Sequence, residues 1–224
     1  MNLAGHTIPH VIGDRIRLLF KPFNRAHAAF MSSSALGMLF PVVSAPIVAR
    51  LYSPDEFGIY AVFYAMATIF SAVSSLELRN IALLEADRTD SVHGALLALC
   101  VVAVFCLVFT GFLIILPAEW ISVLLGASIV AHLVWLPATV FLMGASQVLY
   151  TWATREKSYH MLARNKIVLG LSTMILQIGI GLTDPGAIGF IVANLLGLLL
   201  STALLSRAFL ECVRSLRLAF SVRS

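Results

Sequence analysis

Few side chains in this 224-residue sequence have the type and spacing that covalent or metal chemistry requires. His6 and His10 stand four apart, as two ligands on one helical face would, but no further ligand accompanies them and two imidazoles make a poor metal site. Cys100, Cys106 and Cys212 form no C-x-x-C pair and frame no disulfide scaffold. The chain has no glycine loop shaped to cradle phosphate, no G-x-S-x-G nucleophile turn and no paired carboxylates within an apolar run. Neither catalytic residues nor a metal or cofactor is expected. The remaining chemistry is that of fixed cations at the ends of apolar stretches, which hold anions.

The composition says what positions those cations. Hydrophobic residues make up 60% of the chain and charged ones 12%, and the mean hydropathy is +0.95, far from the balance of a soluble domain. A spanning helix needs about 20 mostly apolar residues. Six stretches qualify: Ala28–Val48, Phe57–Leu76, Gly94–Leu116, Ile129–Ala153, a shorter Ile167–Leu182, and Ala187–Leu205. Trp120–Leu125 is too brief to cross and is expected to cover one end of the bundle. The runs are continuous rather than alternating, which excludes a membrane β-barrel. The fold class is therefore all-α, a polytopic membrane helix bundle of about six spans. It divides into a segment 1–27, a transmembrane unit 28–205 and a basic tail 206–224.

The joints between spans carry helix-start signals. In Ser53-Pro54-Asp55-Glu56 the serine caps, the proline takes the first helical position and the glutamate closes the box. Tyr52 and Phe57 flank it where a hydrophobic staple belongs. Thr183-Asp184-Pro185-Gly186 repeats the device, with Asp184 as cap and Pro185 in the first turn. Joints this short make antiparallel neighbours.

Charge sets the orientation. With a cytoplasmic amino terminus, Arg50 alone of the 15 lysines and arginines falls outside, and the others, among them Arg79, Arg155, Lys157, Arg164, Lys166 and Arg207, fall inside. Both termini are then cytoplasmic. The net charge of +4 follows from this topology and does not point to nucleic acid. Residues 1–27 lack the apolar core and cleavage site of a removable signal. Val11, Ile12, Ile16, Leu19, Phe20 and Phe23 fit either a short amphipathic helix on the inner surface or an ordinary basic flank of the first span.

Within the spans the only ionisable side chain besides cysteine and tyrosine is His132, and no Asp or Glu occurs. Ser32, Ser33, Ser34, Gln147, Gln177 and Asn194 either line a wet cavity or hydrogen-bond helix to helix. Pro41 and Pro137 are expected to bend the first and fourth spans.

The segments ARLYSPDEFGIYAVFYA (49–65), SLELRNIALLEA (75–86) and TWATREKSYHMLARNKI (151–167) resemble the amino-terminal half of the bacterial polysaccharide biosynthesis flippases. These include the O-antigen and teichoic-acid exporters of the multidrug/oligosaccharidyl-lipid/polysaccharide exporter superfamily. The similarity extends from about Ala28 to about Leu205, and the Leu51–Gly58 joint is its most specific part.

The resemblance implies a chain in the bacterial inner membrane that helps move an undecaprenyl-pyrophosphate-linked oligosaccharide to the outer leaflet. It also implies one lobe of a two-lobe, MATE-like transporter, here with six spans instead of twelve. The chain is then a half-size or truncated member that pairs with a second six-helix lobe or with its own copy. A pyrophosphate ligand would be held by cations at the mouths of a groove, and the candidates are Arg50, Arg79, Arg155 and Lys157. Two other classes stay open: half of a cation-coupled drug antiporter, in which His132 takes a proton, and a non-transporting membrane scaffold.

Overall fold

The structure is a computed structural model that describes residues 39–75, 88–183 and 185–221. The segment 1–27, the first part of the first span with Ser32 to Ser34, Arg79 and Asp184 lie outside the described residues. So do His6 and His10.

The described chain is helical throughout, with no strand. Helix α1 is Leu39–Leu51, α2 Pro54–Ser75, α3 Arg88–Ile115, α4 Ala118–Leu125 and α5 Ala127–Val130. A 3₁₀ turn at Leu133–Trp135 leads into α6, Leu136–Arg155. Helices α7, Tyr159–Thr183, and α8, Ala187–Ser221, complete the bundle. Five segments are long and apolar enough to cross a membrane: Pro54–Ser74, Asp90–Ile115, Ser128–Arg155, Tyr159–Thr183 and Ala187–Ser215. With α1 as the described part of another apolar run, this is a multi-pass membrane protein. At eight residues, or about 12 Å, α4 cannot cross, in keeping with its expected place outside the spans.

Helix α6 is the hub, packing against α2, α3 and α8, while α7 pairs most extensively with α8. Leu136, Val140, Val148, Trp152 and Ala153 of α6 are buried in the core with Phe63, Val102 and Leu205. Large apolar side chains also cover the outside. Leu107, Val108, Phe112, Ile114 and Ile115 of α3 are exposed, which would be costly in water and is the normal state of a surface facing lipid.

Small residues let the helices close up. A Cβ on Gly144 would lie 2.8 Å from Val102 Cγ1 and 2.9 Å from Ser74 Oγ, so α6 meets α2 and α3 through the missing side chain. Gly197 of α8 lies against Thr173 of α7, where a Cβ would come within 3.2 Å of the Thr173 Cα. Without a hydrophobic drive between helices in lipid, such close contacts and interhelical hydrogen bonds hold the bundle. The buried Ser201 hydroxyl donates to Asn165 Oδ1 at 2.9 Å across α7 and α8. Gln147 Nε2 donates to Ser71 Oγ at 3.4 Å across α6 and α2.

Four sequence expectations shift. Pro137 does not break a helix in its middle: it stands in the first turn of α6, after the 3₁₀ turn, where its missing N–H would have had no intrahelical partner. Pro185 precedes α8 rather than entering it, and at the start of α8 the Phe190 N–H donates to the Gly186 carbonyl at 3.3 Å. The fifth span is not short, because α7 begins at Tyr159 and has 25 residues. Helix α8 continues beyond Leu205 and buries Phe209 and Cys212, the Trp152 and Phe209 rings meeting edge to face at 5.0 Å.

Candidate functional site

The two ends of the bundle are built differently. One, the hairpin end, holds the joint between α1 and α2 and the joint between α7 and α8. The Ser53 N–H donates to Glu56 Oε2 at 2.9 Å and the Glu56 N–H donates to Ser53 Oγ at 3.3 Å. This reciprocal capping box is the one expected from the sequence. Tyr52 and Phe57, placed by the sequence as a staple, converge on Phe190 of α8. Their ring centroids lie 4.8 and 5.7 Å from it, both edge to face, and the Tyr60 ring packs at 4.1 Å, tilted by 39°. The buried Tyr52 hydroxyl donates to the Gln177 carbonyl at 2.9 Å, while its ring lies over Gly181, where a Cβ would come within 2.8 Å.

The other, basic end holds the turn between α6 and α7. There the Ser158 N–H bonds the Ala153 carbonyl at 3.1 Å and the Lys157 N–H bonds the Thr154 carbonyl at 3.0 Å. These two bonds form a Schellman motif, whose left-handed position normally takes glycine. Here it is filled by Lys157, at φ 54°. Ser158 then starts α7, accepting from the N–H groups of Met161 and Leu162 at 3.0 and 3.1 Å.

Between the ends lies a cavity of about 440 Å³ bordered by α1, α2, α6, α7 and α8. Its polar lining comes from Ser44, Tyr60, Tyr64, Lys166, Thr173, Gln177 and Asn194, and Met143, Leu169, Met174 and Leu198 supply apolar wall. From Lys166 to Gln177 it follows α7 for about 16 Å, at 1.5 Å per residue. Tyr60 belongs both to this lining and to the aromatic cluster, so the cluster stands at the cavity's hairpin end. Lys166 stands toward the basic end, its Nζ 5.8 Å from the centroid of the Tyr150 ring, within reach of a cation–π attraction.

Of the four cations singled out in the sequence, the three that are described do not converge. Arg50 is exposed in the last turn of α1, at the hairpin end. Arg155 and Lys157 are neighbours in the turn at the basic end, with Arg155 Nη1 3.6 Å from Glu156 Oε1. Arg79 lies outside the described residues. None of Arg50, Arg155 and Lys157 lines the cavity; among the described residues the cation that does is Lys166. The sequence reading missed it by starting the fifth span at Ile167, which left Lys166 in the flanking loop. The available signal was Ser158: a capping serine there begins the helix at Tyr159 and carries Lys166 about 10 Å into it.

The polar residues of the spans divide between the two roles left open. Gln147 and Asn165 tie helices together, and Gln177 and Asn194 line the cavity. His132 is buried before the 3₁₀ turn with Nδ1 2.9 Å from the Ser128 carbonyl. A carbonyl only accepts, so this contact places the proton on Nδ1. His132 is not among the residues that line the cavity.

Comparison with known proteins bears on what such a cavity serves. Neither the curated proteins nor the solved structures give a match to this chain. A family model described as polysaccharide biosynthesis protein matches residues 47–224, from the end of α1 to the last residue. A helical multi-pass bundle with this match over most of its length belongs to the polysaccharide biosynthesis protein family.

Proposed function

We propose that this chain is one lobe of an exporter that carries a lipid-linked oligosaccharide, joined through pyrophosphate, across the bacterial cell membrane during surface polysaccharide synthesis. The carrying observation is the position of Lys166 within the helical lining of a cavity whose other polar groups are neutral hydroxyls and amides. A cation held inside a span is expensive and marks a pathway, and its natural counterpart is an anion such as pyrophosphate.

The basic end faces the cytoplasm, as the positive-inside rule requires. Arg79, Lys157 and Arg155, the last sharing its charge with Glu156, receive the anion at that mouth. Lys166 meets it next. The hydroxyl and amide groups of Ser44, Tyr60, Gln177 and Asn194 replace water around the sugars, and the polyprenyl tail stays in lipid. Arg50 meets the phosphates at the far side. A second six-helix lobe, or a second copy of the chain, completes the wall that α1, α2 and α7 leave open.

The test is replacement of Lys166 in cells that depend on this chain for surface polysaccharide. At normal membrane levels, Lys166→Ala is expected to abolish display, and Lys166→Arg, which keeps the charge, to retain it. Undiminished display with Lys166→Ala would remove the cavity from the transport path.

A further inference from the structure

A second groove, of about 620 Å³, lies between α7 and α8 near the basic end and shares no lining residue with the central cavity. Its charged and titratable rim is formed by His160 and Arg164 of α7 and Arg207 and Glu211 of α8. Each of the four is exposed, and neither guanidinium is ion-paired among the described residues. Two permanent cations on facing helices thus stand against a single carboxylate, a local excess of positive charge that calls for an anion from outside the protein.

The chemistry changes along the groove. One helical turn deeper than Arg164 lies Val168, and one and two turns deeper than Arg207 lie Leu204 and Leu200. The site is therefore cationic at its rim and apolar below, on a surface that faces lipid. A free phosphate would satisfy only the arginines. An amphiphile whose phosphate bridges Arg164 and Arg207 while its chain follows Leu204 and Leu200 would satisfy both parts. Arginine's planar fork suits that oxygen geometry.

We propose that this groove is a binding site for an anionic phospholipid of the leaflet at the basic end, clamping α7 to α8 through the lipid headgroup. The inference is independent of what the central cavity transports. Basic pockets between spanning helices at one membrane face are the expected receptors for such headgroups.

Native mass spectrometry of the detergent-purified chain tests it, using phosphatidylglycerol and phosphatidylcholine with the same acyl chains. Phosphatidylglycerol should be retained preferentially. The Arg164→Ala/Arg207→Ala variant should weaken its retention about thirtyfold, while Arg214→Ala, an exposed arginine outside the groove, should leave it unchanged. Glu211→Gln supplies a gain-of-binding arm that does not depend on the double variant folding: with the repelling carboxylate gone, retention should rise. Equal retention of the two lipids by the unmodified chain would overturn the proposal, as would equal losses in the Arg214 and double variants or no gain in Glu211→Gln. Displacement of the lipid by excess inorganic phosphate would assign the site to a soluble anion instead.

Discussion

The Tyr52 hydroxyl donates to the backbone carbonyl of Gln177 at 2.9 Å, joining residues 125 positions apart in the sequence. The bond locks the end of α1 onto α7 immediately beside the cavity, since the Gln177 side chain is part of its lining. Tyr52→Phe keeps the ring on Phe190 and removes only the hydroxyl. It is expected to cost about 0.6–1.7 kcal/mol, the usual worth of a hydrogen bond between membrane helices, read as a lower melting temperature in detergent.

Gly181→Ala attacks the same contact from the other side, because the new methyl would press on the Tyr52 ring. The glycine variant should be destabilised by about 1–3 kcal/mol, the usual cost of overpacking. Adding Tyr52→Ala should recover part of that loss. Strictly additive effects would mean that the two residues do not share a contact.

Lys157 offers a substitution that separates stability from function. A side chain in the left-handed conformation is strained by about 1–2 kcal/mol relative to glycine, and Lys157 sits there at φ 54°. Lys157→Gly should therefore raise the melting temperature, and, if the proposed role of Lys157 in receiving the anion at the basic end holds, lower polysaccharide display. A stabler protein with full display would reduce Lys157 to an ordinary turn residue.

The capping box was legible from four consecutive residues, and both of its hydrogen bonds formed as expected, because a cap is a local device that tertiary packing seldom overrides. The spans were legible for a similar reason, since lipid demands long apolar runs whatever their neighbours. The cavity was not. Its lining draws on five helices, and the order in which helices pack is set by complementary shapes such as Gly144 against Val102, which a single sequence does not display. Gln147 and Gln177 look alike in the sequence. One bonds Ser71 and the other borders the cavity only because of how α6 and α7 are turned. Lys166 was missed through a boundary error of eight residues, from Tyr159 to Ile167, the kind of error that apolarity alone produces when a helix starts before its apolar run does.

The capping box itself predicts a cycle. Ser53→Ala should cost about 1 kcal/mol, Glu56→Ala somewhat less, and the pair less than their sum, because each bond holds the turn in the geometry that the other requires. Thermal unfolding of the four proteins in detergent measures the coupling.

Orientation is open to direct chemical measurement. In a background with Cys100, Cys106 and Cys212 replaced, Arg50→Cys should react with a membrane-impermeant maleimide in intact cells, and Lys157→Cys only after permeabilisation. The reverse pattern would turn the molecule over and place the basic turn outside.

The length of α8 has a mechanical implication. Its 35 residues measure about 52 Å, more than the roughly 40–45 Å of a bilayer with its headgroups. At the roughly 20° tilt usual for spanning helices α8 projects about 49 Å, so its last turn reaches past the headgroups as a stiff end, braced where Phe209 meets Trp152. Rocking of the buried rods would swing the free tip through an amplified arc. A reporter attached at the carboxyl end of α8, beyond Ser215, would thus register, from the aqueous side, movements that take place inside the lipid.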